Sequence, residues 1–503
     1  MRQVALGLLL LAPWLYPPGW GPSPVVPPWL LSLACSGLLL LLLTVSQKKL
    51  KDQWPSVAWA WVTAAAISSV IGLCQYFQVE HYFVPWMSLS EEGQAFANLR
   101  QRNHFATLTQ MGVLAALVLT LHPPNGHALI RPQNTLLLCL GVLMALGNVV
   151  SASRTGMLEM VFIGLLAWRW GWLKNTSAKN LSLWALFAYL CGALLLPWLA
   201  GLGANNDIFA RMRDGGPSCS SRLNLWRTVL NLIAQKPWSG WGWGELDFAH
   251  FMSLGSGERF CEILGNAHNL PLHLAVELGL PVALLILGGL VAWVLLARPW
   301  QETQASRQLA WGVVGLIALH SLLEYPLWYG PFAMTMAVCL MLMYSSRPLK
   351  DDSMGFSGVR GNLRRKNHFS HWAIRSFAIF LIVSVAYASW DYHRVSQLYL
   401  NPDQRSMNYR DETLKKVSDT WLFRNQLEFA ELTLTSVTPD NAKLMHAKAL
   451  ALMHYSPEAR VVEKLIESAQ MLNQMQEVSY LKARYQAAYP LEYQAWSRTS
   501  TIP

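Results

Sequence analysis

Apolar runs of bilayer length recur along this 503-residue chain and limit its fold more than any other feature. A helix needs about 20 predominantly apolar residues to cross hydrocarbon. The balance of residues agrees, with 53% hydrophobic and 14% charged. A soluble chain carries nearer a quarter, about 25%, charged residues. The expected fold is an all-α polytopic membrane protein with eleven spans near 4–16, 28–45, 57–76, 104–121, 134–150, 155–171, 181–201, 281–297, 307–323, 331–345 and 374–390. A segment at 269–280 that dips in and out raises the alternative count to twelve. The first run has Arg2 and an apolar core like a signal peptide, but no small-x-small cleavage site follows it. It therefore reads as an uncleaved span.

A net charge of +10 raises nucleic acid as a partner, but the basic residues sit mainly in short loops between spans, where topology explains them. Lys48, Lys49 and Lys51, then Arg131, Arg169, Lys174 and Lys179, then Arg298, Arg307 and the run Arg360, Arg364, Arg365, Lys366 all fall on one side if every span counts. That side is expected to be cytoplasmic. The outer face then receives 17–27, 77–103, 151–154, the large loop of about 202–280, 324–330 and everything after 390. Many of the tryptophans lie near span ends, as interfacial belts require.

The division expected is a transmembrane domain over 1–390, large loop included, and a C-terminal helical domain over 391–503. In the latter, Thr438-Pro439-Asp440 and Ser456-Pro457-Glu458 read as helix starts, a hydroxyl cap followed by proline. Helical hairpins of the tetratricopeptide sort and a small bundle both fit, and no clear 34-residue period decides between them. Five cysteines lie inside spans, whereas Cys219 and Cys261 share the outer loop and pair if that side is oxidising.

The stretch 261–280, CEILGNAHNLPLHLAVELGL, ends the polar loop and starts an apolar run. His268 and Asn269 lie in its first half, and His273 and Glu277 share a helix face before Gly279 and Pro281 interrupt it. An imidazole at the mouth of a membrane is costly unless it has partners or work. Four more polar clusters map to the same side. Arg100-Gln101-Arg102-Asn103 either anchors lipid headgroups or meets a donor phosphate or acceptor. In Ser151–Gly156, Arg154 either pairs with Glu159 or a headgroup, or offers its planar fork to phosphate. In Ser221–Gly244, Arg222, Trp226 and Val229–Leu230 predict an amphipathic helix resting on the membrane. Arg222 and Arg227 need not share its face, and both read equally as solvated surface. In His320–Phe332, His320 and Glu324 share a face and Tyr325 and Tyr329 flank Pro326, as a tight turn or as a site. No HExxH or CxxC spacing and no phosphate-cradling loop is present, so neither metal nor cofactor is expected.

The patterns SRLNLWR…QKPWSGWGWG and AHNLPLHLAVELGLP resemble the O-antigen ligase and polymerase superfamily. ANLRQRNHFATL, SASRTG and EYPLWYGPF are closer to its protein-glycosylating branch, the PglL-like O-oligosaccharyltransferases and pilin glycosylation ligases. The resemblance implies a glycan donor on undecaprenyl diphosphate in a bacterial inner membrane and a serine or threonine acceptor on a periplasmic or pilin protein. It implies that His268 is the loop histidine, that Arg154 and Arg222 handle the diphosphate, and that Gln101 and Tyr329 are polar positions tied to activity. Arg102, Asn103, Arg227, Asn269, Glu324 and Tyr325 are the neighbouring candidates for substrate contact, with membrane lipid beside them. The chemistry fits the residue types. Two guanidiniums stabilise charge growing on a departing diphosphate, and a neutral imidazole can take the hydroxyl proton. Ligation onto lipid A core and polymerisation of repeat units are the nearest alternatives. A transporter or flippase is disfavoured because its ionisable groups belong near the midplane, whereas here the basic groups cluster at one surface.

Overall fold

A computed structural model of the chain describes residues 1–17, 22–45, 50–91, 93–123, 131–201, 218–255, 259–346 and 360–499. Lys48, Lys49 and the first part of the large loop, 202–217, lie outside the described residues. The described residues are helical, with turns and no strand. Each of the eleven expected spans coincides with a helix. Seven are long and apolar enough to cross a membrane: Val26–Val45, Leu50–Tyr76, Arg102–Leu121, Arg131–Val150, Thr176–Leu199, Leu280–Gln301 and His371–Tyr399. The four shorter ones are Arg2–Leu15, Arg154–Arg169, Ala305–Ser321 and Gly330–Ser345. The chain is thus a multi-pass helical membrane protein.

The chain divides into two compact units, Met1–Asp214 with Val294–Ser389, and Gly215–Trp293 with Trp390–Pro503. In the first, Arg102–Leu121 is the central helix. It packs against Trp54–Tyr76, Arg131–Val150, Arg154–Arg169 and Ala305–Ser321, and nearly every side chain from His104 to Thr120 is buried. Lipid offers no hydrophobic drive between helices, so such packing depends on close backbone approach. Gly112 supplies it, because a Cβ there would collide with Ala65 and Met144.

The second unit joins part of the large loop to the tail, a grouping different from the division expected at residue 390. The reason is a shared core. Phe251, from the short loop helix Leu246–Met252, is buried among Leu432, Met445, Leu465 and Tyr485 of the tail. Arg484 donates to the Met252 carbonyl at 2.9 Å, and the His454 ring meets Glu245 at 2.7 Å. The tail stacks consecutive helices, Arg424–Leu434, Ala442–Leu452, Ala459–Met471 and Met475–Ala488, each against the next. Successive helix pairs start at Arg424 and Ala459. Ser456-Pro457-Glu458 immediately precedes a helix, as expected. Thr438-Pro439-Asp440 does not. There the helix begins at Ala442, because Asn441 Oδ1 accepts from the Thr438 N–H and holds a turn first.

The helix Arg222–Gln235 also departs from expectation. Its apolar face, Leu225, Val229, Leu232 and Ile233, is buried against Phe260, Leu264, Leu274 and Val276 instead of being left for a membrane. The 269–280 stretch forms a nine-residue helix, Leu270–Leu278, in that same core, so no added dip into the bilayer is needed to bury it.

Candidate functional site

In the first unit, three of the sequence clusters converge at helix ends. Gln101 Oε1 accepts from the His104 N–H at 2.7 Å and so caps Arg102–Leu121. Ser153 Oγ accepts from the Gly156 N–H at 3.2 Å and caps Arg154–Arg169. The same Ser153 hydroxyl donates to Asn103 Oδ1 at 2.6 Å, while Asn103 Nδ2 donates to Glu324 Oε1 at 3.0 Å. Asn103 therefore ties the start of one helix to the start of another and to the turn before Pro326. Arg102 and Arg154 each occupy the first helical position after the cap. Arg154 is exposed and, among the described residues, pairs with no carboxylate. The expected alternative of an Arg154–Glu159 pair is not formed, because Glu159 is fully buried and accepts from Thr107 instead.

Beneath these ends lies a buried polar chain that the sequence patterns only partly marked. Thr107 Oγ1 is 2.6 Å from Glu159 Oε1 and 2.8 Å from His320 Nδ1. One hydroxyl thus bridges a buried carboxyl and a buried imidazole. His104 stacks on Tyr329 with ring centroids 5.0 Å apart and meets His320 edge-on at 5.4 Å. Tyr329 is buried, and burial pushes its phenol above the usual range against the pull of Arg100. Tyr325 is half-buried beside it in sequence. His104 and Thr107 lie inside the ANLRQRNHFATL pattern, but the sequence reading singled out neither. The signal available was a polar residue one and two turns inside an otherwise apolar span. Glu159, His104 and His320 are thus buried ionisable groups, in addition to the basic groups that the sequence reading placed at one surface.

The second unit holds His268 and Arg222. Ser221 Oγ accepts from the Asn224 N–H at 3.2 Å and caps Arg222–Gln235, so Arg222 is again the first helical residue. Asn269 Oδ1 accepts from the Leu272 N–H at 3.0 Å and caps Leu270–Leu278. His268, just before that cap, has φ 49°, a left-handed conformation rare for a residue with a side chain. Its N–H donates to Asn266 Oδ1 at 2.9 Å, which holds the turn. Two links join this turn to the Arg222 helix. Trp226 Nε1 donates to the Ala267 carbonyl at 3.2 Å, and Cys219 is disulfide-bonded to Cys261, Cα atoms 5.4 Å apart. The disulfide expected from the sequence is therefore present. Arg227 is exposed and Arg222 half-buried, as their spacing allowed.

The Gly240–Gly244 segment supports the same helix from its other end. Trp241 N–H donates to Val276 O at 2.9 Å, Gly242 N–H to Glu277 O at 3.0 Å, and Leu280 N–H to Pro237 O at 2.8 Å. Gly240 and Gly279 have φ of 66° and 80°, and a Cβ at either would strike the facing backbone. The expected His273–Glu277 face exists, with Nε2 and Oε2 at 3.5 Å and both side chains buried. Burial lowers the His273 ring to about 4, and the neighbouring His268 adds to the fall. Burial raises Glu277 to about 7 despite the Gly244 N–H, with Asp247 and Glu245 adding to the rise. At neutral pH this contact is between a neutral ring and a carboxyl near half-protonation, not a fixed ion pair.

Comparison with known proteins bears on both units. An O-antigen ligase family profile matches residues 139–287, and a protein glycosylation ligase profile matches 95–119. A profile described as the C-terminal part of a membrane-bound virulence factor polymerase matches 308–501. Two proteins of Acinetobacter baylyi are similar. A general O-oligosaccharyltransferase is 26% identical over 298 residues, covering 56% of this chain and 49% of that protein. A ComP-specific O-oligosaccharyltransferase is 26% identical over 282 residues, covering 55% and 48%. The chain spans about half the length of these relatives. The matches bear out the resemblance to the O-antigen ligase superfamily and its PglL-like, protein-glycosylating branch.

Proposed function

We propose that the chain, similar to those O-oligosaccharyltransferases, transfers a glycan from undecaprenyl diphosphate to serine or threonine hydroxyls of periplasmic or pilin proteins. The reaction is assigned to the periplasmic face of a bacterial inner membrane. One observation carries the reading: Arg102, Arg154 and Arg222 each sit at the first position of a helix whose cap is already filled by Gln101, Ser153 or Ser221. The positive end of a helix dipole disfavours a cation by about 0.3–1 kcal/mol, and an anion there removes that penalty. Each such helix start suits an anionic group. A lipid diphosphate supplies such a group.

In this reading Arg154 and Arg222 bind the diphosphate and stabilise the charge it gains as the anomeric C–O bond breaks. The acceptor oxygen attacks the anomeric carbon from the opposite face, which inverts it. The hydroxyl proton passes to His268, whose backbone turn is held by its N–H bond to Asn266. Gln101, Asn103 and Asn269 keep the helix starts in register through their caps and cross-links, and Tyr329, Tyr325, Glu324 and Arg227 are assigned to the substrate surfaces. The ligase and polymerase matches support a second reading, transfer to lipid A core or to a growing polysaccharide. The deciding experiment gives purified protein a lipid-linked glycan with either a pilin-type protein or lipid A core and reads the product by mass spectrometry. Glycan on a serine or threonine is expected. Product on lipid A core alone would replace the first reading by the second.

A further inference from the structure

The tail carries a cavity of about 720 Å³ between residues Leu398 and Lys448, separate from every residue assigned above. This is within the range of ligand sites, about 300–1,000 Å³. Leu414, Leu427 and Leu434 line it, and Leu434 is 70% exposed there. Its charged lining is unequal. Lys415 pairs with Glu412, Arg424 with Glu428, and Lys448 with Glu431. Arg405 and Arg410 remain, and neither pairs with a carboxylate among the described residues.

Both of these guanidiniums are held in place. Arg405 Nε donates to Leu400 O at 3.0 Å, and its Nη1 donates to Thr413 Oγ1 at 2.8 Å. Arg410 Nε donates to Arg405 O at 3.3 Å. Arg405 keeps its Nη2 N–H groups and Arg410 both of its terminal nitrogens for an acceptor, and carboxylate suits a guanidinium. The leucines beside it favour an apolar neighbour, which a bare phosphate or sugar does not supply. Stacked helical hairpins commonly offer such concave surfaces to extended chains.

We propose that this cleft docks a segment of the acceptor polypeptide in which an acidic side chain adjoins an apolar one. Arg405 and Arg410 take the carboxylate, and the leucines take the apolar side chain. The proposal rests on the reading of the chain as a protein O-oligosaccharyltransferase and deepens it by placing acceptor selection in the tail.

The test uses the full chain in detergent and a fluorescent peptide containing a Glu-Leu pair. Arg410 is exposed, so Arg410→Glu leaves the fold intact, and an unchanged melting temperature verifies this. Peptide affinity is expected to fall by at least about tenfold. A Lys-Leu peptide is expected to recover binding to that variant. The acceptor-protein KM is expected to rise similarly, while kcat at saturation and transfer to a short peptide lacking the acidic pair stay unchanged. A Gln-Leu peptide that binds as tightly as Glu-Leu, or an Arg410→Glu variant with unchanged KM, overturns the proposal. So does loss of binding to anionic vesicles with peptide affinity unaltered, which would assign the cleft to lipid. If the wild type binds the peptide with the expected charge dependence yet glycosylates no protein, the functional reading fails and the cleft stands.

Discussion

At the scale of residues, His268 and the helix-start arginines are assigned different work, and substitution separates them. Arginine stays protonated and cannot act as a base. His268→Ala is expected to cut transfer by about 10²–10⁴-fold while lipid-linked donor still binds. Arg154→Ala and Arg222→Ala are expected to weaken donor binding, with lysine recovering part of it by keeping charge without the fork. Donor affinity and single-turnover transfer for each purified variant measure this. A His268→Ala protein that transfers normally once saturated with donor would move His268 to the phosphate side. Thr107 is a different case, because its role is to satisfy buried groups. Thr107→Val keeps the shape and removes the partner of Glu159 and His320, at a cost of about 1–3 kcal/mol. Thermal unfolding in detergent should show it, and Thr107→Ser should restore most of the loss.

The element that invites a pH experiment is the Leu270–Leu278 helix, where His273 and Glu277 titrate with opposite consequences. His273 falls from its ordinary value to about 4, so between about 4 and 6.5 the unfolded chain binds more protons and stability rises with pH. Glu277 rises to about 7, so between about 4.5 and 7 the folded chain binds more protons and stability falls with pH. The two contributions oppose each other over most of this window. Relative to the wild type, Glu277→Gln should gain stability as pH rises from about 4.5 to 7, and His273→Asn should lose it from about 4 to 6.5. Difference curves of apparent melting temperature against pH test the pair, and slopes of the same sign in both variants would refute it. The disulfide acts on the same element. It anchors the Arg222 helix to the strand of loop leading to His268, across 42 residues. Replacing Cys219 and Cys261 by serine should destabilise this unit by about 3–4 kcal/mol, read by unfolding with and without reductant.

For the whole molecule, two expectations concern the tail. If all eleven expected helices span, the tail lies on the face opposite a cytoplasmic N-terminus, and a C-terminal alkaline phosphatase fusion should be active. Activity of only a cytoplasmic reporter would refute that topology. Deleting 403–503 has an expected effect beyond the proposed docking cleft. Phe251 would lose Leu432, Leu465 and Tyr485, and Met252 would lose Arg484. The segment carrying Glu245 and Asp247, next to Glu277, would then come loose. Donor turnover and protein transfer should fall together in the truncated protein, measured as hydrolysis and glycosylation side by side. Arg410→Glu, by contrast, should affect the acceptor alone.

Much of this was legible in order along the chain. Apolar runs specified eleven helices, seven of them long enough to cross a membrane, because hydrocarbon leaves a backbone with no water to bond. The i, i+4 spacing of His273 and Glu277 specified their contact, and two cysteines sharing one loop specified the disulfide. Each depends on local periodicity or on a short count of candidates. Tertiary structure alone decided the rest. The Arg222 helix turned its apolar face to a protein core because loop residues far along the chain, such as Phe260 and Val276, were there to cover it. Glu159 chose Thr107 over Arg154 because helix packing brought a hydroxyl to a fully buried carboxylate, where the guanidinium five positions earlier stayed at the surface. His104 and Thr107 found their partners only when Tyr329 and His320 arrived from another helix pair. Amphipathic periodicity tells a helix that it has a face to bury. Which surface covers that face is set by residues distant in sequence, and only the folded chain brings them together.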